Sequence, residues 1–157
     1  RRMLEKHDPV YLNTQYNHPK EITREAQKAV DMLTKAGVVV RDQTVLMKGI
    51  NNDPHVMKVL MHEMLRIKVA PYYIFNCKIV EGIRHFRTSI QEGLNIMEHL
   101  RGYTSGMAVP TYIITAPEGR GKTPSAPQYL LNTNFNGDAL IRTWGGHVLQ
   151  YEDEKSA

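Results

Sequence analysis

The run V-V-V-R-D-Q-T-V-L, from Val38 to Leu46, is the segment that best defines the fold of this 157-residue chain. β-Branched residues dominate it, and such residues favour strands. Helical patterns stand on both sides. Before it, Thr23 is a predicted N-cap and Gly37 a predicted C′ residue; after it, Asp53-Pro54 is an N-cap followed by proline at the first helical position. A strand between two helices predicts parallel strands joined by helical crossovers.

The alternation continues in both directions along the chain. Val10 to Tyr16 and Tyr72 to Asn76 are further strand candidates, and Ser89 with Glu92 forms a capping box for a third helix. Residues 1–101 therefore read as β/α units of an α/β fold with three parallel strands. The start, Arg1 to Lys6, looks like the end of a helix cut from something longer. We expect the C-terminal part of a partial barrel whose other strands lie in an upstream segment.

The remaining residues, 102–157, change in character. A strand is predicted within Val109 to Thr115, and Asn136-Gly137 is a turn signal. Leu140 to Trp144 and His147 to Tyr151, around Gly145-Gly146, predict a β-hairpin. We expect a β-rich tail rather than another βαβ unit.

Composition excludes several classes of function. The net charge of +4 comes from interspersed charges, so nothing favours nucleic acid over a solvated mixed-charge surface. No apolar run reaches the roughly 20 residues of a membrane span, and no secretory signal is visible. Cys77 is the only cysteine, which excludes an internal disulfide and an iron–sulfur cluster held by cysteines of this chain alone. A cytoplasmic protein without metal ligands in this chain is expected.

The loop A-P-E-G-R-G-K, from Ala116 to Lys122, has two functional readings. The first is a phosphate-binding loop of relaxed Walker A type. Such a loop must open a helix whose amides hold the phosphates. Pro124 and Pro127 follow instead, and proline breaks a helix interior, so nucleotide binding is disfavoured.

The second reading is a lysine that forms a Schiff base with pyridoxal phosphate. A neutral amine is the nucleophile in that reaction. Gly119 and Gly121 would allow the backbone close to a ligand. From the loop alone, a surface lysine on a turn remains the alternative.

Blocks throughout the chain add a resemblance. Together they resemble, in the same order, the lysine 2,3-aminomutase family of radical S-adenosylmethionine enzymes that also use pyridoxal phosphate. They run from Leu12 to Pro19, Asp42 to Gly49, Pro71 to Cys77, Val80 to Thr88, Leu100 to Thr111 and Ala116 to Lys122. The resemblance implies that Lys122 is the Schiff-base lysine and that the chain matches the C-terminal portion of such an enzyme.

The same resemblance implies a reaction that this chain alone does not complete. The intact enzyme would move an amino group from C2 to C3 of an amino acid, using S-adenosylmethionine and a [4Fe–4S] cluster. The family's C-x-x-x-C-x-x-C motif is not in this sequence. We therefore expect the chain to be inactive alone, to need an upstream barrel half, and to form a homo-oligomer. A non-catalytic domain that makes subunit contacts through Trp144 and Tyr151 is the alternative.

Two departures from the family pattern concern the substrate. Members that act on lysine have acidic residues where this chain has Lys78 and Thr115. That change of charge would repel an ammonium and attract a carboxylate. It favours glutamate as the substrate, with lysine as the alternative. The alternative is that Lys78 is exposed to solvent and has no role in substrate binding.

Three amides complete the candidate site. Asn13 and Gln15 lie at the end of the first predicted strand, and Gln43 lies within the second. Barrel enzymes build their active sites at strand C-terminal ends, so these side chains are candidates for contacts to S-adenosylmethionine or substrate. Gln15 departs from the histidine that the family often has. The alternative is that these three amide side chains form hydrogen bonds inside the barrel and contact no ligand.

Overall fold

The computed structural model describes residues 2–135 and 138–152 and arranges them in two β-sheets and four α-helices. The first sheet contains β1 (Tyr11–Thr14), β2 (Val39–Leu46), β3 (Ala70–Asn76), β4 (Thr111–Thr115) and β5 (Lys122–Ser125) in that spatial order. The second contains β6 (Leu130–Phe135), β7 (Asp138–Arg142) and β8 (Val148–Tyr151). The helices are α1 (Arg2–Glu5), α2 (Arg24–Thr34), α3 (Pro54–Arg66) and α4 (Ile90–Leu100). The mixed α/β class is confirmed, and closure into a partial barrel stays a prediction.

The predicted caps begin the three long helices. Thr23 accepts a hydrogen bond from the backbone N–H of Ala26 at 3.2 Å, and Asp53 accepts one from His55 at 2.7 Å. Ser89 and Glu92 form the reciprocal capping box of α4. Such bonds satisfy backbone donors that the first helical turn leaves free.

The end of α2 differs slightly from the prediction. Its C-cap is Lys35, so Gly37 lies one residue beyond the C′ position. Gly37 has a φ of +85°, a conformation that glycine adopts without the steric cost of a side chain. It turns the chain into β2.

The first sheet has one more parallel strand than the sequence predicts. β1, β2, β3 and β4 are parallel neighbours, and only β5 runs antiparallel, to β4. The expectation of three parallel strands with no further βαβ unit is wrong on this point, because α4 serves as the crossover that makes β4 parallel to β3. The division between residues 1–101 and 102–157 stays a prediction; β4 and β5 lie after it and still belong to the first sheet.

One face of the first sheet packs against the helices. Along β2, Val40, Asp42, Thr44 and Leu46 are buried, whereas the residues between them are only partly buried. The helices contribute to the same core the buried side chains of Val30, Met57, Leu60, Met61, Met64, Ile96, Met97 and Leu100. Each such large side chain contributes about 1.5–3 kcal/mol on burial. The opposite face of the sheet carries Gln43 and Val45, which line the candidate site described below.

The second sheet is joined to the end of α4. Arg142 of β7 forms an ion pair with Glu98 of α4 at 2.6 Å. The Trp144 ring lies against Gly102 and meets the Tyr103 ring edge-on, with centroids 5.2 Å apart. The predicted hairpin is confirmed as β7 and β8, whereas the sequence patterns do not predict β6. The predicted turn at Asn136-Gly137 lies outside the described residues.

Among the described helices, none combines the length and apolar character that crossing a membrane requires.

Candidate active site

A cavity of about 560 Å³ lies at the C-terminal ends of the parallel strands, where α/β proteins commonly bind their ligands. We call it the lysine cavity. Its lining includes seven of the residues that the sequence singles out, namely Gln15, Gln43, Lys78, Thr115, Gly119, Gly121 and Lys122. The eighth, Asn13, is exposed on β1 and lies outside this lining. Residues from five separate stretches of sequence therefore meet in one place.

Lys122 is held in the lysine cavity by the sheet. It is the first residue of β5 and pairs with Thr115 of β4 in the antiparallel ladder. The loop between them closes with a hydrogen bond from the Ala116 N–H to the Gly121 carbonyl at 2.9 Å. The backbone of Lys122 is therefore fixed by strand pairing rather than carried on a free loop.

Two aromatic rings lie beside the Lys122 ammonium. The Nζ atom is 5.2 Å from the ring centroid of Tyr73 and 5.0 Å from that of Phe75. Both distances fit cation–π contacts, worth about 0.5–1 kcal/mol each at exposed sites. Neither residue is among the candidate site residues predicted from the sequence. Their spacing is the signal that could have found them, since alternate positions of a strand point to one face.

Gly119 and Gly121 have φ angles of +72° and +95°, which residues with a Cβ rarely adopt. A Cβ placed on either residue would meet no other atom within 4 Å. Glycine is therefore required here by the backbone conformation, not by crowding. The open space beside the loop allows a ligand to approach the main chain.

Lys78 and Thr115 lie in the same wall of the lysine cavity. Lys78 is exposed, just past the end of β3. The Thr115 Oγ1 atom is buried and has no hydrogen-bond partner among the described residues. Buried hydroxyls are normally hydrogen-bonded, so this hydroxyl lacks the partner that its burial calls for.

A smaller cavity of about 250 Å³ adjoins the first, and we call it the arginine cavity. It lies between the end of β3, the start of α4 and the end of β4, and Arg87 lines it. Asn76, Cys77, Lys78 and Thr115 line both cavities. The two cavities therefore share a wall that includes Lys78 and Thr115, the two residues predicted to contact substrate.

Other parts of the surface are poorer candidates. A cavity of about 510 Å³ between α2 and the end of α3 is lined mainly by charged side chains that include Arg24, Asp31 and Arg66. It lies on the helix side of the sheet, away from the strand ends. Within residues 2–135 and 138–152, no three histidine, cysteine or acidic side chains come together in a way that could hold a metal ion.

Comparisons with known proteins agree on one family. Residues 97–157 match the family model described as Lysine-2,3-aminomutase. Glutamate 2,3-aminomutase of Clostridioides difficile is 55% identical over 152 residues, which are 97% of this chain and 36% of that protein. L-lysine 2,3-aminomutases of Acetoanaerobium sticklandii and Fusobacterium nucleatum are 45% and 46% identical over 96% and 98% of the chain. The chain spans 36% of the length of each of these three relatives.

Proposed function

The chain belongs to the lysine 2,3-aminomutase family, and from that premise we propose that it carries the cofactor lysine and part of the substrate-binding wall of an amino acid 2,3-aminomutase. The observation that supports this most directly is the position of Lys122. Its amine lies in the lysine cavity beside two aromatic rings and is anchored by the β4–β5 ladder.

The residues of the lysine cavity fit pyridoxal phosphate. This cofactor, when bound, supplies an aldehyde that reacts with primary amines and a conjugated ring that delocalises electrons. Lys122 would hold it through its amine. The rings of Tyr73 and Phe75 offer an apolar surface beside that amine, and the open backbone at Gly119 and Gly121 leaves room for the cofactor.

The chain's own residues would then bind and orient rather than transfer electrons. Lys122 must be neutral to act as a nucleophile, so a proton leaves Nζ before it reacts. Tyr73 and Phe75 exclude water from one side of the amine. Gln15 and Gln43 offer amide groups to the same cavity and are our candidate contacts for S-adenosylmethionine or substrate, with Asn13 as a more peripheral one.

The residues do not fit an iron–sulfur cluster. Such clusters are held by several cysteine thiolates, and Cys77 is the only cysteine of the sequence. We propose that residues of the full-length protein outside this chain hold the cluster and form the rest of the barrel. The chain's share of its relatives' length, 36%, leaves space for them.

Glutamate is the substrate that the charges favour. Lys78 contributes an ammonium to the cavity wall and Thr115 an unpaired hydroxyl, and both suit a carboxylate. Lysine is the second candidate, because the relatives from Acetoanaerobium sticklandii and Fusobacterium nucleatum are named for lysine. An ammonium at the end of the substrate side chain would, however, be repelled by Lys78.

The experiment uses the full-length protein. It is incubated with pyridoxal phosphate, reduced with borohydride and digested, and the modified peptide is identified by mass spectrometry. We expect the phosphopyridoxyl mass on the peptide that contains Lys122, and its loss in Lys122→Ala but not in Lys20→Ala, an exposed lysine of the turn Pro19–Glu21. A label on another lysine would refute the assignment.

Turnover then decides the substrate. The anaerobically reconstituted protein is offered glutamate and lysine separately, and β-amino acid products are measured. We expect β-glutamate as the main product. A preference for lysine would refute the glutamate assignment while leaving Lys122 in place.

A further inference from the structure

Asp42 is the only acidic side chain that is buried within the described part of the chain. It lies in β2 on the face that packs against the helices, where a parallel sheet is normally apolar. A buried carboxyl group costs free energy unless other groups bond to it, and none of the ion pairs among the described residues includes Asp42. Hydrogen bonds therefore have to offset the cost of its burial.

These hydrogen bonds lie where β1 ends. The β1–β2 ladder finishes at the pair Thr14 and Asp42, so strand pairing no longer fixes Gln15 and Tyr16 beyond it. The Asp42 Oδ1 atom accepts a hydrogen bond from the Tyr16 N–H at 2.6 Å and lies 3.0 Å from the Thr14 hydroxyl. The residues on both sides of Gln15 are thus bonded to one carboxyl oxygen.

The Gln15 side chain lies on the opposite side of the sheet from this carboxyl group. Successive residues of an extended segment point to opposite faces. Thr14 reaches Asp42 on the helix side, whereas Gln15 lines the lysine cavity. Asp42 and Gln43 alternate in the same way along β2. The carboxyl group therefore supports, from behind the sheet, the chain segment that presents Gln15 to the cavity.

Gln43 does not need the same support. It lies inside β2, and its backbone is held by pairing with Tyr73 of β3. The Asp42 Oδ2 atom is bonded to the hydroxyl of Thr44, which follows Gln43 directly. One carboxyl group thus connects the neighbours of Gln15 to the neighbour of Gln43 and sets the spacing of the two amides.

The chain beyond Tyr16 has a separate support. The Asn17 side chain accepts a hydrogen bond from the Val45 N–H at 2.7 Å, and the buried Asn51 amide donates to the Asn17 carbonyl at 2.8 Å. These bonds fix the loop two residues after Gln15. Asp42 remains the side chain that bonds both immediate neighbours of Gln15.

We infer that Asp42 is a positioning residue that holds Gln15 beside Gln43 at the wall of the lysine cavity. It touches no ligand and acts through the backbone on either side of Gln15. The inference rests on the proposed function for what Gln15 contacts, namely S-adenosylmethionine or substrate.

The test measures the affinities of the anaerobically reconstituted full-length protein for S-adenosylmethionine and for glutamate by calorimetry. Gln15→Ala should weaken binding of the ligand that Gln15 contacts about three- to tenfold, as loss of a hydrogen bond does. Asp42→Ala should weaken binding of the same ligand by no more than that factor, because it acts through Gln15.

A double-mutant cycle separates positioning from general loosening of the fold. In the Gln15→Ala background, Asp42→Ala should weaken that ligand by less than about twofold, since the contact that it supports is already gone. A purely structural effect would weaken binding by the same factor in both backgrounds.

Three further variants serve as controls. Asp42→Asn keeps an oxygen for the Tyr16 N–H and should restore the affinity of the unmodified protein. Val30→Ala opens the same helix-side core without touching these bonds and should leave both affinities unchanged. Thr44→Val removes one hydroxyl of the network at nearly constant shape and should weaken binding about two- to threefold. It replaces Asp42→Ala in the cycle if circular dichroism shows that the alanine variant does not fold.

Equal weakening by Asp42→Ala in both backgrounds, or an asparagine variant as weak as the alanine variant, would overturn the inference. A Gln15→Ala protein that binds both ligands normally would overturn the contact proposed for Gln15, and the role of Asp42 with it. Failure of borohydride trapping at Lys122 would instead overturn the pyridoxal phosphate assignment, which the cycle does not use.

Discussion

The hydroxyl of Thr44 lies 2.7 Å from Asp42 Oδ2 and 2.9 Å from the carbonyl oxygen of Tyr16. A hydroxyl has one hydrogen, so Thr44 cannot donate to both. If Asp42 is protonated, its own hydrogen goes to Thr44, and Thr44 donates to Tyr16. Asp42 is buried against the helix side of β2, and this burial raises the pKa of its carboxyl group despite the bonds from Tyr16, Thr44 and Thr14.

The raised pKa of Asp42 predicts that stability depends on pH. The folded protein holds this proton more tightly than the unfolded chain, whose aspartate pKa is about 3.9. The contribution to the free energy of unfolding is therefore full below that value and declines as the pH rises towards the pKa of the folded state. In Asp42→Asn the amide can replace the protonated carboxyl group, so we expect this decline to be smaller. Urea unfolding of both proteins across pH 4 to about 8 measures it.

An exposed aspartate provides the control for that comparison. The Lys35 hydrogen bond lowers the pKa of Asp31, which is the opposite direction. Asp31→Asn should therefore not reduce the decline. A decline that is identical in the unmodified protein and in Asp42→Asn would contradict the assignment to Asp42.

Gly93 of α4 is required by the aromatic ring that packs on it. A Cβ at this position would overlap the ring of Tyr112, which is 1% exposed and cannot move away. Burial raises the pKa of Tyr112 to about 12, so the ring remains neutral. We expect Gly93→Ala to destabilise the protein by about 1–3 kcal/mol, because overpacking outweighs the better helix propensity of alanine.

Gly106 is the matched control for Gly93. It does not have a positive φ, and a Cβ there would meet nothing within 4 Å. Gly106→Ala should change the free energy of unfolding by less than about 0.5 kcal/mol. Denaturant unfolding of the two variants measures the difference, and equal stabilities would argue against the packing of Tyr112 on Gly93.

Substrate preference should follow the charge at the shared wall of the two cavities. We expect the double change Lys78→Asp and Thr115→Asp to shift the ratio of kcat/KM from glutamate towards lysine by at least about tenfold, since two carboxylates there attract an ammonium. Competition between the two amino acids measures this ratio in the full-length protein. Lys20→Asp makes a similar charge change on an exposed turn and should leave the ratio unaltered.

The loop before Lys122 should tolerate a side chain poorly at Gly121. Its φ of +95° costs a non-glycine residue about 1–2 kcal/mol, although no atom crowds the position. Gly121→Ala is therefore expected to weaken pyridoxal phosphate binding about five- to thirtyfold by displacing the loop. Gly145→Ala in the β7–β8 hairpin, where φ is not positive, is the control. Absorbance titration with the cofactor measures both.

The sequence is sufficient for the features that depend on local chemistry. Caps at Thr23, Asp53 and Ser89 and the strand from Val39 to Leu46 follow from residues a few positions apart. The parallel pairing of β4 with β3 does not, since it depends on how α4 packs. The candidate site likewise combines residues that the local sequence identifies with residues that only the folded structure identifies. Lys122 can be identified from its loop, whereas Tyr73 and Phe75 become candidates only when folding brings their rings beside its amine.

The antiparallel pairing of β5 with β4 has a consequence for how this site can vary. Strand register, and not loop length, determines where the Lys122 amine lies, because Thr115 and Lys122 are partners and the bond between Ala116 and Gly121 closes the loop at its base. Residues inserted near Glu118, at the exposed tip, would lengthen the loop without moving the amine. A single-residue slip in β5 would instead turn Lys122 to the other face of the sheet and out of the cavity.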